Sequence, residues 1–182
     1  HERFGAFNVF RYITFRTAMA MLTAIVVCFI LGPWLIRKLR LFQIGQEIRE
    51  EGPASHQSKR GTPTMGGLLI IAAVVPTTLL WADLSNGFVW IATGAMIAFG
   101  GIGFVDDYVK VAKKRNLGLT ARGKFAVQIA VALAIGLVLL AMAKQGVFTT
   151  RLSVPFFKAV NPDLGWIYPA WVVLVLVGAS NA

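Results

Sequence analysis

Acidic residues are scarce in this 182-residue sequence: 8 Asp and Glu stand against 18 Lys and Arg, and charged residues of both signs make up only 14% of the chain. A soluble globular domain carries roughly a quarter charged residues, so an ordinary soluble fold is excluded. Cysteine is nearly absent. Cys28 lies inside an apolar run, allows no intrachain disulfide, and reads as a small core residue. Alternation of apolar and polar residues is missing as well, which excludes a closed β-barrel. No charged leader runs into a small-residue cleavage site, so the first apolar run reads as an anchor and not as a secretory signal. The chain opens on His1 and stops at Ala182 within an apolar stretch, and both ends read as cut.

What the chain has instead is apolar bulk. Hydrophobic residues make up 57% of it, with 13 Phe and 5 Trp, far too much for a disordered chain. The reading is an all-α, polytopic integral membrane protein. A spanning helix needs about 20 apolar residues, and the pattern recurs at about 17–36, 65–82, 87–105, 125–143 and 164–180, which predicts five transmembrane helices. The first four runs carry no charged residue.

The formal net charge of +10 would suggest nucleic acid in a soluble protein. In a membrane protein it points to basic cytoplasmic loops facing anionic headgroups, so no nucleic-acid partner is expected. The loops 37–64 and 106–124 hold twelve Lys and Arg together, and the opposite side holds six. The positive-inside rule therefore places the N-terminus outside and both loops in the cytoplasm. Pro33 and Pro76 are expected to bend their helices, and Trp81, Trp90, Trp166 and Tyr168 fall where interfacial aromatics belong. Gly94, Gly100, Gly101 and Gly103 follow no strand, so they read as helix-packing glycines and not as a dinucleotide loop.

Three groups of residues could carry chemistry. Asp106 and Asp107 follow the third run directly. They are either solvated carboxylates at a helix end or a functional pair, and ionisable groups at the bilayer edge favour the second. A cation is needed beside them. Lys110, at i+4 and i+3 on a continuing helix, is one candidate, and Mg²⁺ is the other, since oxygen ligands without a His or Cys cluster exclude a zinc site. Carboxylates, Mg²⁺ and lysines together suggest phosphoryl transfer. The second group, Lys59-Arg60-Gly61-Thr62-Pro63-Thr64-Met65-Gly66-Gly67, is either a turn capped by Thr62 or Thr64 or a phosphate-binding corner at a helix N-terminus. His56 alone reads as a loop residue. The third is the basic set Lys110, Lys113, Lys114, Arg115, Arg122 and Lys124, which meets headgroups or holds a pyrophosphate.

At these residues the sequence resembles the phospho-N-acetylmuramoyl-pentapeptide transferase family. The likeness runs through Gly45-Gln46, Arg49, Gly52-Pro53, Ser55-His56 and Lys59 to Gly67, then Gly103 to Tyr108 with Lys110, Val154 to Lys158, and Gly178 to Ala182. Pro-Thr-Met-Gly-Gly and Asp-Asp-x-x-Lys separate this family from relatives that load N-acetylglucosamine phosphate. The resemblance implies transfer of phospho-MurNAc-pentapeptide from UDP-MurNAc-pentapeptide to undecaprenyl phosphate, giving lipid I and UMP with Mg²⁺ at the cytoplasmic face of the bacterial inner membrane. It assigns catalysis and Mg²⁺ to Asp106 and Asp107, and substrate binding to Lys59, Thr64, Lys110, Lys124 and Asn181. In the family the first aspartate either deprotonates the lipid phosphate or an aspartate attacks covalently, and the sequence does not choose. The resemblance also implies a ten-helix homodimer, of which this chain is about the first half, with a further Mg²⁺ aspartate and a His-rich loop expected beyond residue 182. The chain by itself is then expected to be inactive. Two other readings are a transport subunit using the acidic pair and a purely structural fragment; against transport, the pair lies at a helix end and no internal repeat is present.

Overall fold

A computed structural model of the chain describes residues 5–42, 65–113, 118–153 and 160–182. Among them are five α-helices and no β-strand: α1 (Ile13–Phe42), α2 (Gly67–Trp81), α3 (Gly87–Ala112), α4 (Ala121–Lys144) and α5 (Tyr168–Asn181). Short 3-10 turns, Gly5–Arg11 and Gly165–Ile167, lead into α1 and α5. By length and composition α1, α3 and α4 can each cross a bilayer, whereas α2 and α5 are apolar but shorter. Continuous apolar sequence favours helices here because lipid offers no partner for backbone N–H and C=O groups. The chain is an all-α membrane protein.

Helix and apolar run do not coincide. The third run ends at Val105, yet α3 continues to Ala112, so 106–112, expected as the start of a loop, are helical. Likewise α1 begins at Ile13 and ends at Phe42, outside its 17–36 run on both sides. Hydropathy marks where lipid contacts a helix. It does not mark where the backbone hydrogen bonds stop, and polar residues with good helix propensity prolong them.

The helices form two compact units, residues 1–119 and 120–182. In the first, α1 packs on α2 and α2 on α3. Trp81 at the end of α2 reaches the start of α1, where its Nε1 donates to Thr23 Oγ1 at 3.0 Å and its ring stacks on Phe10 with centroids 6.2 Å apart. The turn into α3 is built by Asp83, whose Oδ1 accepts from Ser85 N and Oγ, and by Asn86, whose Oδ1 accepts from Phe88 N at 3.0 Å as an N-cap. Those bonds from Ser85 hold the Asp83 carboxyl below its ordinary pKa. Trp90 Nε1 donates to Leu84 O at 2.9 Å, anchoring the same end. Of the four α3 glycines singled out above, Gly100 is in close packing, since a Cβ there would lie 2.2 Å from Ile71 Cδ1; among the described residues Gly94, Gly101 and Gly103 have nothing within 4 Å of that position.

In the second unit α4 and α5 run antiparallel. Thr120 Oγ1 accepts from Gly123 N at 3.2 Å and starts α4, while Pro169 occupies the first turn of α5. Gly136 is the contact point: a Cβ there would sit 2.7 Å from Pro169 Cα, so only glycine lets the backbones approach this closely. The connection is pinned by Thr150, whose Oγ1 donates to Asp163 Oδ1, by Gly165 N to the same Oδ1, and by an isolated Arg151–Asp163 bridge. The Thr150 and Gly165 bonds lower the Asp163 carboxyl's pKa.

Candidate active site

The helical continuation of α3 brings together three of the residues singled out by sequence. Asp106, Asp107 and Lys110 share one turn and a half of helix. Lys110 Nζ lies 2.7 Å from Asp106 Oδ2 and 3.0 Å from Asp107 Oδ1, so one ammonium bridges both carboxylates at the i+4 and i+3 spacings. The side chains are 13%, 28% and 30% exposed for Asp106, Asp107 and Lys110 respectively. Like charges on adjacent residues repel, and the shared ammonium offsets that repulsion.

Asp106 is held from a second direction. The backbone N–H of Leu119 donates to Asp106 Oδ1 at 2.8 Å, thirteen residues along the chain. That approach depends on Gly118, where a Cβ would fall 2.2 Å from Asp106 Oδ1 and 2.8 Å from the Asp106 backbone oxygen. Both oxygens of Asp106 are thus engaged, whereas Asp107 Oδ2 accepts no hydrogen bond from the described residues. Sequence reading missed Gly118 and Leu119. A glycine just before the Thr120 N-cap is an ordinary helix-start pattern, and nothing in it announces a contact with α3.

Two carboxylates against one ammonium leave one net negative charge. The donors are hard oxygens, which fit Mg²⁺ with waters and phosphate oxygens completing its shell. No group of three His, Cys, Asp or Glu occurs among the described residues, so these side chains would supply only part of that shell. Next to the cluster, Phe104 and Tyr108 stack with centroids 6.0 Å apart on the same helix.

Other expected site residues fall elsewhere. Lys59 and Thr64 lie outside the described residues, as do Thr62, His56, Lys114 and Arg115. The described chain resumes at Met65, in the left-handed region with φ 69°, and the N-cap position of α2 is Gly66, which has no side chain to cap with. Lys124 stands in the first turn of α4 and Asn181 ends α5, both in the second unit. Asn181 is tied to Gln128 of α4: its Nδ2 donates to Gln128 Oε1 at 2.9 Å and to Val177 O at 2.8 Å. Gln128 was also unforeseen, although a lone amide in a run free of charge is itself a signal.

Comparison with known proteins adds the following. Residues 89–182 match the family model described as glycosyl transferase family 4. Residues 59–71 match phospho-N-acetylmuramoyl-pentapeptide-transferase signature 1. The chain is similar to the phospho-N-acetylmuramoyl-pentapeptide-transferase of Koribacter versatilis, 56% identical over all of the chain and 52% of the relative. It is 59% identical to that of Desulfatibacillum aliphaticivorans over 97% of the chain and 48% of the relative, and 50% identical to that of Syntrophus aciditrophicus over all of the chain and 50% of the relative. The chain thus spans about half the length of the curated relatives it matches.

Proposed function

The chain belongs to glycosyl transferase family 4, and on that premise we propose that the protein moves phospho-MurNAc-pentapeptide from UDP-MurNAc-pentapeptide to undecaprenyl phosphate, forming lipid I and UMP. The observation that carries the reading is the Asp106–Lys110–Asp107 cluster, placed where a membrane-spanning helix runs past its apolar segment. The relatives' shared name supports the choice of donor.

In bond terms, an oxygen of the lipid phosphate attacks the sugar-bearing phosphorus of the donor, a new P–O bond forms, and the P–O bond to UMP breaks. Such transfers are accelerated mainly by alignment and by neutralising charge on the phosphoryl oxygens. Mg²⁺, when bound, supplies that neutralisation, and Asp107 with Asp106 would hold it. Asp107 offers the uncommitted Oδ2, which suits it to a ligand or to a proton from the lipid phosphate. Asp106, fixed by Leu119 N–H and by Lys110, keeps the helix turn in place. Lys110 tempers carboxylate repulsion and faces the same phosphates. Lys59, Thr64, Lys124 and Asn181 are proposed to bind substrate; the matched segments 59–71 and 89–182 contain all four.

We further propose a homodimer in the bacterial inner membrane, with its N-terminus outside and the site on the cytoplasmic side. The two-to-one excess of Lys and Arg in segments 37–64 and 106–124 supports that orientation.

The test is UMP release by the protein from its full reading frame in nanodiscs, given both substrates with and without Mg²⁺. Release that needs both substrates and the metal is the expected result. None from a folded preparation would overturn the reading. The 182 residues alone are expected to release no UMP.

A further inference from the structure

Gln128 is the most deeply buried of the polar side chains among the described residues, and the proposed chemistry leaves it unused. It is 3% exposed, two turns into α4, in a run from Phe125 to Ala143 with no charged residue. In a lipid environment an amide is tolerated where its donors and acceptors are met by protein. Here all its partners come from the last turn of α5. Gln128 Nε2 donates to Ser180 Oγ at 3.2 Å, and Gln128 Oε1 accepts from Asn181 Nδ2 at 2.9 Å.

The directions of these bonds determine one another. Ser180 Oγ donates its single proton to Val177 O at 3.0 Å, so toward Gln128 it must accept. Gln128 therefore presents its amide nitrogen to Ser180 and its carbonyl oxygen to Asn181. A half-turn of either amide would set two N–H groups or two oxygens face to face. Asn181 in turn commits its amide nitrogen within the helix pair, to Gln128 Oε1 at 2.9 Å, to Val177 O at 2.8 Å and to Ser180 Oγ at 3.2 Å. The Asn181 group left to meet a ligand is its carbonyl Oδ1.

We infer that Gln128 is a positioning residue: it locks the Asn181 side chain at the end of α5 with the amide nitrogen turned into the α4–α5 seam and the carbonyl oxygen available to substrate. The inference rests on the transferase reading, which is what gives Asn181 a substrate to meet.

The experiment is a double-mutant cycle on the full-length protein in nanodiscs, with kcat and KM measured for both substrates. Gln128→Leu and Asn181→Ala each lower kcat/KM by about ten- to a hundredfold, the scale of a misplaced contact group. Both shift kcat and KM in the same proportions, and the double variant falls no further than the worse single. Gln128→Glu, which keeps the acceptor for Asn181 but as a carboxylate has no N–H for Ser180 Oγ, falls between wild type and Gln128→Leu. Multiplying losses would overturn the inference, as would full activity in Gln128→Leu, while an active wild type leaves the transferase reading standing. Should Gln128→Leu fail to fold, Ser180→Ala frees the Gln128 amide to turn; a severalfold loss supports the lock and an unchanged kcat/KM overturns it. No UMP release by the wild type would overturn both readings.

Discussion

The two units keep polar side chains in a membrane protein by opposite means. In the first, the Asp106–Asp107–Lys110 cluster is charged and part-exposed, and it lies beyond the apolar run. In the second, the Gln128–Ser180–Asn181 cluster is neutral, its bonds close on one another, and Gln128 lies within the apolar run. A charge near lipid is costly unless water and a counter-charge remain close, whereas an amide can be hidden once its bonds are satisfied. The first arrangement leaves capacity to bind a cation or a phosphate. The second leaves rigidity. Each is associated with one glycine: Gly118 admits the Leu119 N–H to Asp106, and Gly136 admits Pro169 to the seam that carries Gln128.

The contrast can be broken from the charged side first. Asp107→Asn in the full-length protein is expected to cost about 10²- to 10⁴-fold in kcat, the scale of a group acting on the reacting atoms. Membrane insertion should be unchanged, and UMP release beside a protease-protection assay measures the two separately. Retained turnover would reduce the pair to a structural element. Gly118→Ala comes next. With a Cβ at 2.2 Å from Asp106 Oδ1, the Leu119 bond opens and kcat should fall by about tenfold, the effect of losing roughly 1.4 kcal/mol of alignment. Gly118→Ala kinetics equal to wild type would show the clamp to be incidental.

On the neutral side, Gly136→Ala should act through stability. Forcing a methyl to within 2.7 Å of Pro169 Cα should destabilise the α4–α5 pair by about 1–3 kcal/mol, the usual cost of overpacking. Thermal unfolding in detergent would register it, and the folded fraction should keep its turnover. The smallest effect is expected at Asp163. Its carboxyl pKa is lowered by Thr150 and Gly165, so its contribution to stability is present above the ordinary carboxylate range and fades as pH falls through the lowered value. Thr150→Val should lower Tm slightly near neutrality, where that contribution is present, and leave Tm at the acid end almost unchanged, so that the acid-side dependence flattens.

The sequence made the charged cluster legible and left the neutral one unread. Asp106 and Asp107 stand out because charge at the margin of an apolar run is rare, and Lys110 follows from helical spacing alone. Local chemistry was sufficient there. It was insufficient for the helix end, because side-chain pairing at i+3 and i+4 carries α3 on to Ala112 where hydropathy has already fallen. It also could not reveal Gly118 or Gly136, since the reason for a glycine is the atom opposite it, which belongs to another part of the chain. Four glycines in α3 invited a packing role, and among the described residues Gly100 alone meets a neighbour, Ile71, for the same reason. Gln128 is marked in the sequence as a lone amide in an uncharged run, but its partners Ser180 and Asn181 lie more than fifty residues away and no local spacing points to them.

One consequence of α3 concerns height. From Gly87 to Asp107 is 20 residues, about 30 Å along a helix axis, which matches the hydrocarbon thickness of a bilayer. If Gly87 stands at one edge of the hydrocarbon, residue count works as a ruler that would bring the carboxylates to the other edge. On the proposed transferase reading, a lipid-borne phosphate would reach them without leaving its leaflet, and a water-soluble nucleotide would reach them without entering it. Lengthening α3 by one turn between Gly87 and Val105 would shift the carboxylates by about 5.4 Å along the helix axis, which on the proposed reading takes them out of register with a lipid acceptor while leaving them open to a soluble donor.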